Sequence, residues 1–202
     1  MIHEFRSTTF APGHIPEVIR LAGEAGLPGN VRGWFHTELG ELNTVLEIWE
    51  WNDHDDRRRR LEALQGWTEG YLARVAPWVR HRDVTFAKPE WPVKPMPGEG
   101  HFYELRTYQT VAGQRATWAK AFGAIMKVRE KYSQNIGFWT TESGSPEQAM
   151  HCWAYRDLKE RSEVRARVLQ DPEWQAFITW NSPMLAHMRS TILVPAPFSP
   201  LR

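Results

Sequence analysis

The chain has 202 residues, 42% hydrophobic and 24% charged, the balance of a soluble globular protein with room for a sizeable core. Its 25 basic and 24 acidic residues leave a net charge of +1, which excludes the electrostatic footprint of a nucleic-acid or anionic-membrane binder. A single cysteine, Cys152, excludes an internal disulfide and suits a reducing compartment, and no apolar run is long enough for a membrane-spanning helix.

The N-terminal stretch Ile2-His3-Glu4-Phe5-Arg6-Ser7-Thr8 alternates apolar and polar residues with period two, which predicts a strand with two unlike faces. The chain enters this pattern without the charged and apolar segments of a signal peptide, so the cytoplasm is the expected location. A turn at Ala11-Pro12-Gly13 leads into a helix over 14–25, where Ile15, Val18, Ile19 and Ala22 recur at helical spacing; Gly26-Leu27-Pro28-Gly29 stops it. Strands are predicted over 31–38 and 43–51, with a turn around Gly40. Asp53 is the candidate N-cap of the next helix, with Asp55 and Asp56 in its first turn. The run Arg57-Arg58-Arg59-Arg60 invites a nucleic-acid reading. It follows three acidic residues and is backed by Leu61 and Leu64, however, which is the pattern of a solvated, charge-laced helix surface. The helix continues through Trp67, Tyr71 and Val75 with a break expected at Gly66, ends near Pro77, and a strand over 81–87 completes a β-α-β-β-α-β unit.

Four prolines and two glycines between Lys88 and Gly100 make an extended connector. It divides the chain into a first repeat, 1–89, a linker, 90–100, and a second repeat, 101–202 with a proline-rich tail. The second repeat opens on His101-Phe102-Tyr103-Glu104-Leu105-Arg106-Thr107-Tyr108, which echoes the N-terminal strand, and continues with a turn at Gly113 and a longer helix over 114–132. Gly137-Phe138-Trp139-Thr140-Thr141-Glu142-Ser143-Gly144 then mirrors Gly33-Trp34-Phe35-His36-Thr37-Glu38-Leu39-Gly40. In the same way Met150-His151-Cys152-Trp153-Ala154-Tyr155-Arg156-Asp157 mirrors Leu46-Glu47-Ile48-Trp49-Glu50-Trp51-Asn52-Asp53. A helix over 158–169 follows, then one capped by Asp171 with Pro172 at its first position, a strand over 190–194, and a tail over 195–200 expected to lie on the surface of the first half. Each unit makes an antiparallel sheet with helices on one side, and two such units can bury their bare faces against each other.

The motifs Tyr103-Glu104-Leu105-Arg106-Thr107-Tyr108, Gly137-Phe138-Trp139-Thr140-Thr141-Glu142, His151-Cys152-Trp153-Ala154-Tyr155-Arg156-Asp157, Asp171-Pro172-Glu173-Trp174 and Pro197-Phe198-Ser199-Pro200-Leu201, in this order, resemble the NIPSNAP family. The likeness is strong over the second half, and the first half is a diverged copy. It implies an α+β fold in which two ferredoxin-like β-α-β-β-α-β repeats pair as a dimeric α/β-barrel within one chain, and it leaves a homodimer open. The wider superfamily with that barrel includes cofactor-free monooxygenases, haem-dependent chlorite dismutases, and small cyclases and isomerising enzymes. The mitochondrial address of animal members is not carried over, for the chain shows no Arg- and Ser-rich amphipathic leader.

Glu104, Arg106 and Tyr108 share one strand face, and His151, Trp153 and Tyr155 share another, opposite the small apolar set Met150, Cys152 and Ala154. The small set suits a helix layer, so the polar and aromatic set is expected to face the barrel interior, with Glu4, Arg6, Glu47, Trp49 and Trp51 as its first-half counterpart. Because His151 replaces Glu47, the second half is the expected working site. His151 could act as a general base on an acidic C–H or O–H, Arg106 could hold an anion or enolate, and Glu104 and Tyr108 complete the catalytic set. Trp153, Tyr155, Trp139, Trp49 and Glu47 are the expected substrate-binding residues. The competing reading makes Glu104 and Arg106 a structural pair and His151 a core histidine. The function expected is a cofactor-independent enzyme acting on a small aromatic or carbonyl metabolite by proton abstraction, isomerisation or monooxygenation; the alternative is a non-catalytic binding or scaffold protein. An open, polar-lined barrel cavity favours the former and a packed interior the latter. No metal is expected, since His3-Glu4 and His36-x-Glu38 are short spacings and no His pair at i, i+4 exists. For haem, His187 is the one axial candidate, and no P-loop, dinucleotide fingerprint or Ser-elbow supports another cofactor.

Overall fold

A computed structural model describes residues 1–96, 98 and 100–202; Pro97 and Glu99 of the proline-rich connector lie outside the described residues. The first repeat runs β1 (Ile2–Phe10), α1 (Ile15–Ala25), β2 (Val31–Leu39), β3 (Thr44–Trp51), α2 (His54–Glu62), an irregular helix α3 (65–75) and β4 (Val79–Pro89). The second runs β5 (Phe102–Thr110), α4 (Arg115–Arg129), β6 (Asn135–Thr141), β7 (Gln148–Tyr155), α5 (Leu158–Val168), α6 (Pro172–Asn181) and β8 (Leu185–Pro195). Equivalent aspartates start α2 and α5. The Asp53 carboxylate accepts the Asp56 N–H and the Asp157 carboxylate accepts the Glu160 N–H, both at 2.7 Å, satisfying donors the first helical turn leaves free. The first-half helix breaks at Ala63 and Leu64, ahead of the expected Gly66, and resumes as α3 with a wide turn over Thr68–Leu72.

The eight antiparallel strands close into one barrel in the order β1-β3-β2-β8-β5-β7-β6-β4. Each repeat supplies four neighbouring strands in ferredoxin-like order. Short ladders join the two half-sheets, from Phe35↔Pro195 to Leu39↔Ile192 and from Ala87↔Thr141 to Pro89↔Trp139. The lumen is solid. Phe5, Phe35, Leu46 and Ile48 from the first half interlock with Tyr103, Leu105, Trp139, Met150, Cys152 and Ala154 from the second in one buried apolar cluster. Trp139 ties the repeats together: its indole N–H donates to His3 Nδ1 at 2.8 Å and its ring stands edge-on to Phe5 at 5.1 Å. A Cβ on Gly137 would lie 2.3 Å from the Trp139 ring, and one on Gly33 would lie 2.4 Å from the Phe35 ring, so the mirrored Gly-x-aromatic motif lets a ring fold across the backbone inside the barrel.

The two strand faces are therefore the reverse of the expectation. Met150, Cys152 and Ala154 point into the lumen, and His151, Trp153 and Tyr155 point outward under the helices. A lumen walled by eight strands has no access to water, so guanidinium and carboxylate groups would be stranded there, whereas the seam between sheet and helices opens at its rim. The tail goes further than the surface it was expected to cover. Phe198 packs edge-on to Trp34 at 5.2 Å, Ser199 Oγ accepts the Trp34 N–H at 3.0 Å, and Leu201 is buried in the barrel cluster. Strand β8 starts earlier than expected and carries His187, exposed to solvent, so this histidine is not a helix-borne axial ligand facing a cavity.

Candidate active site

Opposed residues in an antiparallel ladder share a face. Pairing of β5 with β7 sets Glu104 against Trp153 and Arg106 against His151, which brings five of the expected residues, with Tyr108, onto one outward surface. Helices α4, α5 and α6 cover it and leave a cavity of about 210 Å³. Arg106, Tyr108, His151 and Trp153 form its floor; Trp118 and Phe122 from α4, and Trp174 and Phe177 from α6, form its walls. Tyr155 lies just behind, its hydroxyl accepting from Arg129 Nη2 at 3.3 Å.

Glu104 is the electrostatic anchor. Its carboxylate is fully buried, and Oε1 accepts from Arg106 Nη1 at 2.8 Å, from Arg161 Nη2 at 2.7 Å and from Ser190 Oγ at 2.6 Å, while Oε2 has no partner among the described residues. Burial pushes this carboxyl up, but the Arg161 hydrogen bond, the Arg106 charge and the Ser190 hydroxyl overcome it and hold it down to about 2. Arg106 then donates from Nε to the Tyr108 hydroxyl oxygen at 2.7 Å.

His151 is buried among rings, with Tyr108 edge-on at 4.8 Å and Phe122 at 4.7 Å. Burial and the Arg106 charge keep its pKa well below the ordinary histidine value, so the ring is neutral at pH 7. The Trp153 indole N–H, which can only donate, gives its hydrogen to His151 Nδ1 at 2.6 Å. The imidazole proton must then sit on Nε2, which is buried and has no partner among the described residues. His151 thus offers a hydrogen-bond donor, and the general-base role expected of it does not fit this tautomer. Arg129, 5% exposed, lies 4.0 Å over the Trp153 ring and donates to Ser133 Oγ at 2.7 Å. Burial lowers the pKa of Arg129, and burial together with Arg106 lowers that of Arg165.

The other expected residues are elsewhere. Trp139 is in the lumen, and Glu47 and Trp49 lie under the first-half helices. There a smaller cavity of about 160 Å³ is lined by Glu4, Arg6, Glu47, Arg57, Tyr71 and Arg82 among others. Trp67 and Tyr71 of α3 occupy much of that seam. Glu47 accepts indole N–H bonds from Trp34 at 3.1 Å and Trp49 at 2.9 Å, and burial raises its pKa against the pull of Arg6 and of those bonds. Glu4 is fully engaged by Arg6, by Trp51 and by a two-pronged contact from Arg57 at 2.8 and 2.9 Å. The arginine run is thus a solvated surface except at Arg57, which reaches inward. Sequence reasoning missed Arg57, Arg129, Arg161 and Arg165. Repeat alignment carries a signal for one pair, since Arg57 and Arg161 each stand four residues beyond a capping aspartate. Among the described residues no group of three His, Cys, Asp or Glu side chains could hold a metal ion, and no helix is long and apolar enough to cross a membrane.

A closed antiparallel barrel made of two ferredoxin-like repeats, with its cavities between sheet and helices, defines a dimeric α/β-barrel protein folded within one chain. The NIPSNAP family model matches residues 4–91 and 103–200, and the chain belongs to the NIPSNAP family. It is 25% identical over 201 residues to the protein NipSnap homolog of Dictyostelium discoideum, covering 96% of this chain and 87% of that one. It is 30% identical over 180 residues to the protein NipSnap homolog 2 of Danio rerio, covering 87% of this chain and 63% of the relative, so it spans less than two thirds of that protein. A solved structure from Lactobacillus acidophilus, provisionally described as a monooxygenase, aligns with a TM-score of 0.74 over 96% of this chain and 93% of its own, at 14% identity. An anthrone oxidase-like protein aligns with a TM-score of 0.68 over 97% and 93% at 10% identity. Both likenesses concern the fold.

Proposed function

We propose that the second-repeat cavity binds a small aromatic or carbonyl metabolite and transforms it without a cofactor, by addition of dioxygen to an ionised substrate. The observation that carries this reading is the unpartnered Nε2–H of His151 in a cavity that also offers the Arg106 guanidinium. A fixed donor and a fixed cation in a water-poor site stabilise negative charge on a substrate oxygen without reorganising. Charge of that kind is what an ionised enol or phenol carries as it reacts. The walls suit a flat apolar body, and a cavity below the roughly 300–1,000 Å³ of drug-sized sites restricts the occupant to a small one. The two fold neighbours, one provisionally described as a monooxygenase and the other as anthrone oxidase-like, carry names compatible with oxygen chemistry. A reducing compartment such as the cytoplasm suits the buried lone thiol of Cys152. A second copy would add at the outer edges of β4 over 79–85 and β8 over 185–191, which have no strand partner on that side among the described residues. The packed lumen is what the scaffold reading called for, and the open seam is what supports a ligand site instead.

The test is a thermal-shift screen of aromatic and carbonyl metabolites against the full chain, followed by turnover and oxygen-consumption assays on every binder. His151→Gln is expected to lose turnover while keeping the melting temperature within a few degrees. Unchanged turnover in that variant, or no turnover of any binder by the unmodified protein, overturns the catalytic reading.

A further inference from the structure

The residues lining the second-repeat cavity include three arginines, Arg106, Arg129 and Arg165, and no aspartate or glutamate. Among the described residues only Glu104 stands within salt-bridge distance of them, and it is shared among Arg106, Arg161 and Arg165, the last at 3.9 Å. Arg129 has no carboxylate within salt-bridge distance among the described residues; its polar contacts are the Ser133 and Tyr155 hydroxyls. Four guanidiniums thus face one carboxylate. A buried cation without a counter-ion is costly, and an anion in the cavity would relieve that cost. The imbalance does not come with the fold. In the first-repeat cavity Arg6, Arg57 and Arg82 face both Glu4 and Glu47, and the change of Glu47 to His151 is what removes a carboxylate from the second.

The same lining holds no group free to take a proton. His151 Nδ1 is occupied by the Trp153 N–H, the Tyr108 oxygen by Arg106, and a guanidinium has no acceptor. A ligand that needs deprotonating would find no base here; one that arrives ionised would find three cations and a donor. The rings supply the rest: Trp118 and Phe122 stack on each other at 4.8 Å on one side, and Trp174 and Phe177 meet at 5.3 Å on the other.

We infer that the cavity selects preformed organic anions, flat aromatic bodies whose ionised oxygen group seats on Arg129 and Arg165 at the cavity wall. This rests on the proposed ligand site and names its ligand class, but it concerns binding alone. The probe pair is 2-naphthoate and its neutral isostere 2-naphthamide, titrated calorimetrically against the full chain at pH 7.5 in low and high salt. Naphthoate is expected to bind about tenfold or more tightly than the amide, as befits a charge-assisted bond in a cavity, and to weaken with salt. Arg165→Gln, at a half-solvated position, is expected to lower naphthoate affinity about tenfold and leave the amide unchanged. Arg129→Met is expected to act the same way, and Arg165→Gln serves alone if that variant does not fold. Equal affinity for the two probes, tighter binding of the amide, or naphthoate binding indifferent to Arg165→Gln overturns the inference. If naphthoate binds as stated and no binder is turned over, the catalytic reading falls and this one stands; turnover of a neutral substrate with no preference for naphthoate gives the reverse.

Discussion

Replacing Glu104 by Gln removes the one negative charge from a cluster of four arginines while keeping its shape. The drop of the carboxyl from an ordinary 4.5 to about 2 is a stability contribution of about 3 kcal/mol at neutral pH, from 1.36 kcal/mol per tenfold change in proton affinity. Leaving Arg106 and Arg161 unpaired belongs to the same range, since breaking one side of a buried pair costs roughly 3–5 kcal/mol. Both partners are well shielded, so solvent screening reduces the figure little. The sign with pH follows from the direction of the shift. A depressed carboxyl contributes fully above its unfolded value, loses its contribution as pH falls from 4.5 to about 2, and contributes nothing below that. Urea unfolding of the unmodified chain and of Glu104→Gln, monitored by tryptophan fluorescence, is therefore expected to differ by about 3 kcal/mol at pH 7 and to converge as pH falls toward the lower limit. A difference below about 1 kcal/mol at pH 7, or one that stays constant down the pH series, refutes the assignment of Glu104 as the anchor of the cluster.

Because His151 is held neutral, binding of an aromatic anion is expected to show no step at the ordinary histidine pKa near 6.5; a step there that His151→Gln abolishes contradicts the tautomer argument. Trp153→Phe removes the donor to Nδ1, with an expected cost of about 1 kcal/mol and a change in the imidazole nitrogen shifts by NMR; unchanged shifts refute the hydrogen bond. Gly137→Ala sets a methyl against the Trp139 ring inside the barrel, and a loss of about 1–3 kcal/mol in urea unfolding is expected, whereas a neutral effect shows that the ring can move aside.

Much of the fold was legible because the chain states it twice. Period-two alternation located β1, β3, β5 and β7, the capping aspartates Asp53 and Asp171 located α2 and α6, and the mirrored motifs implied that the two sheets meet. Alternation also showed that Glu104, Arg106 and Tyr108 share a face, as do His151, Trp153 and Tyr155. It carries no information on which face is inside, because that depends on what closes over each side of the sheet. Small Met150, Cys152 and Ala154 looked like a helix-packing set; in fact they leave room for Tyr103 and Trp139 from neighbouring strands in a lumen that both halves must fill. The cations were harder to see. Arg161 lies on a helix face rich in other charges, and Arg129 sits in the extra turn of α4, 15 residues long against 11 in α1, where the first repeat has no counterpart to compare. Burial of Arg129 follows from the covering of α4 by α6, a packing event without a local signature.

The central claim is that the seam beneath α4, α5 and α6, and not the barrel lumen, is where this protein meets its ligand. A crystal structure of the full chain soaked with 2-naphthoate tests it most directly. The account predicts the fused ring between the Trp118–Phe122 and Trp174–Phe177 walls, with its carboxylate within hydrogen-bonding distance of Arg129 or Arg165. Ligand density beside Trp139 in the lumen, or in the first-repeat cavity while the second stands empty, would contradict it.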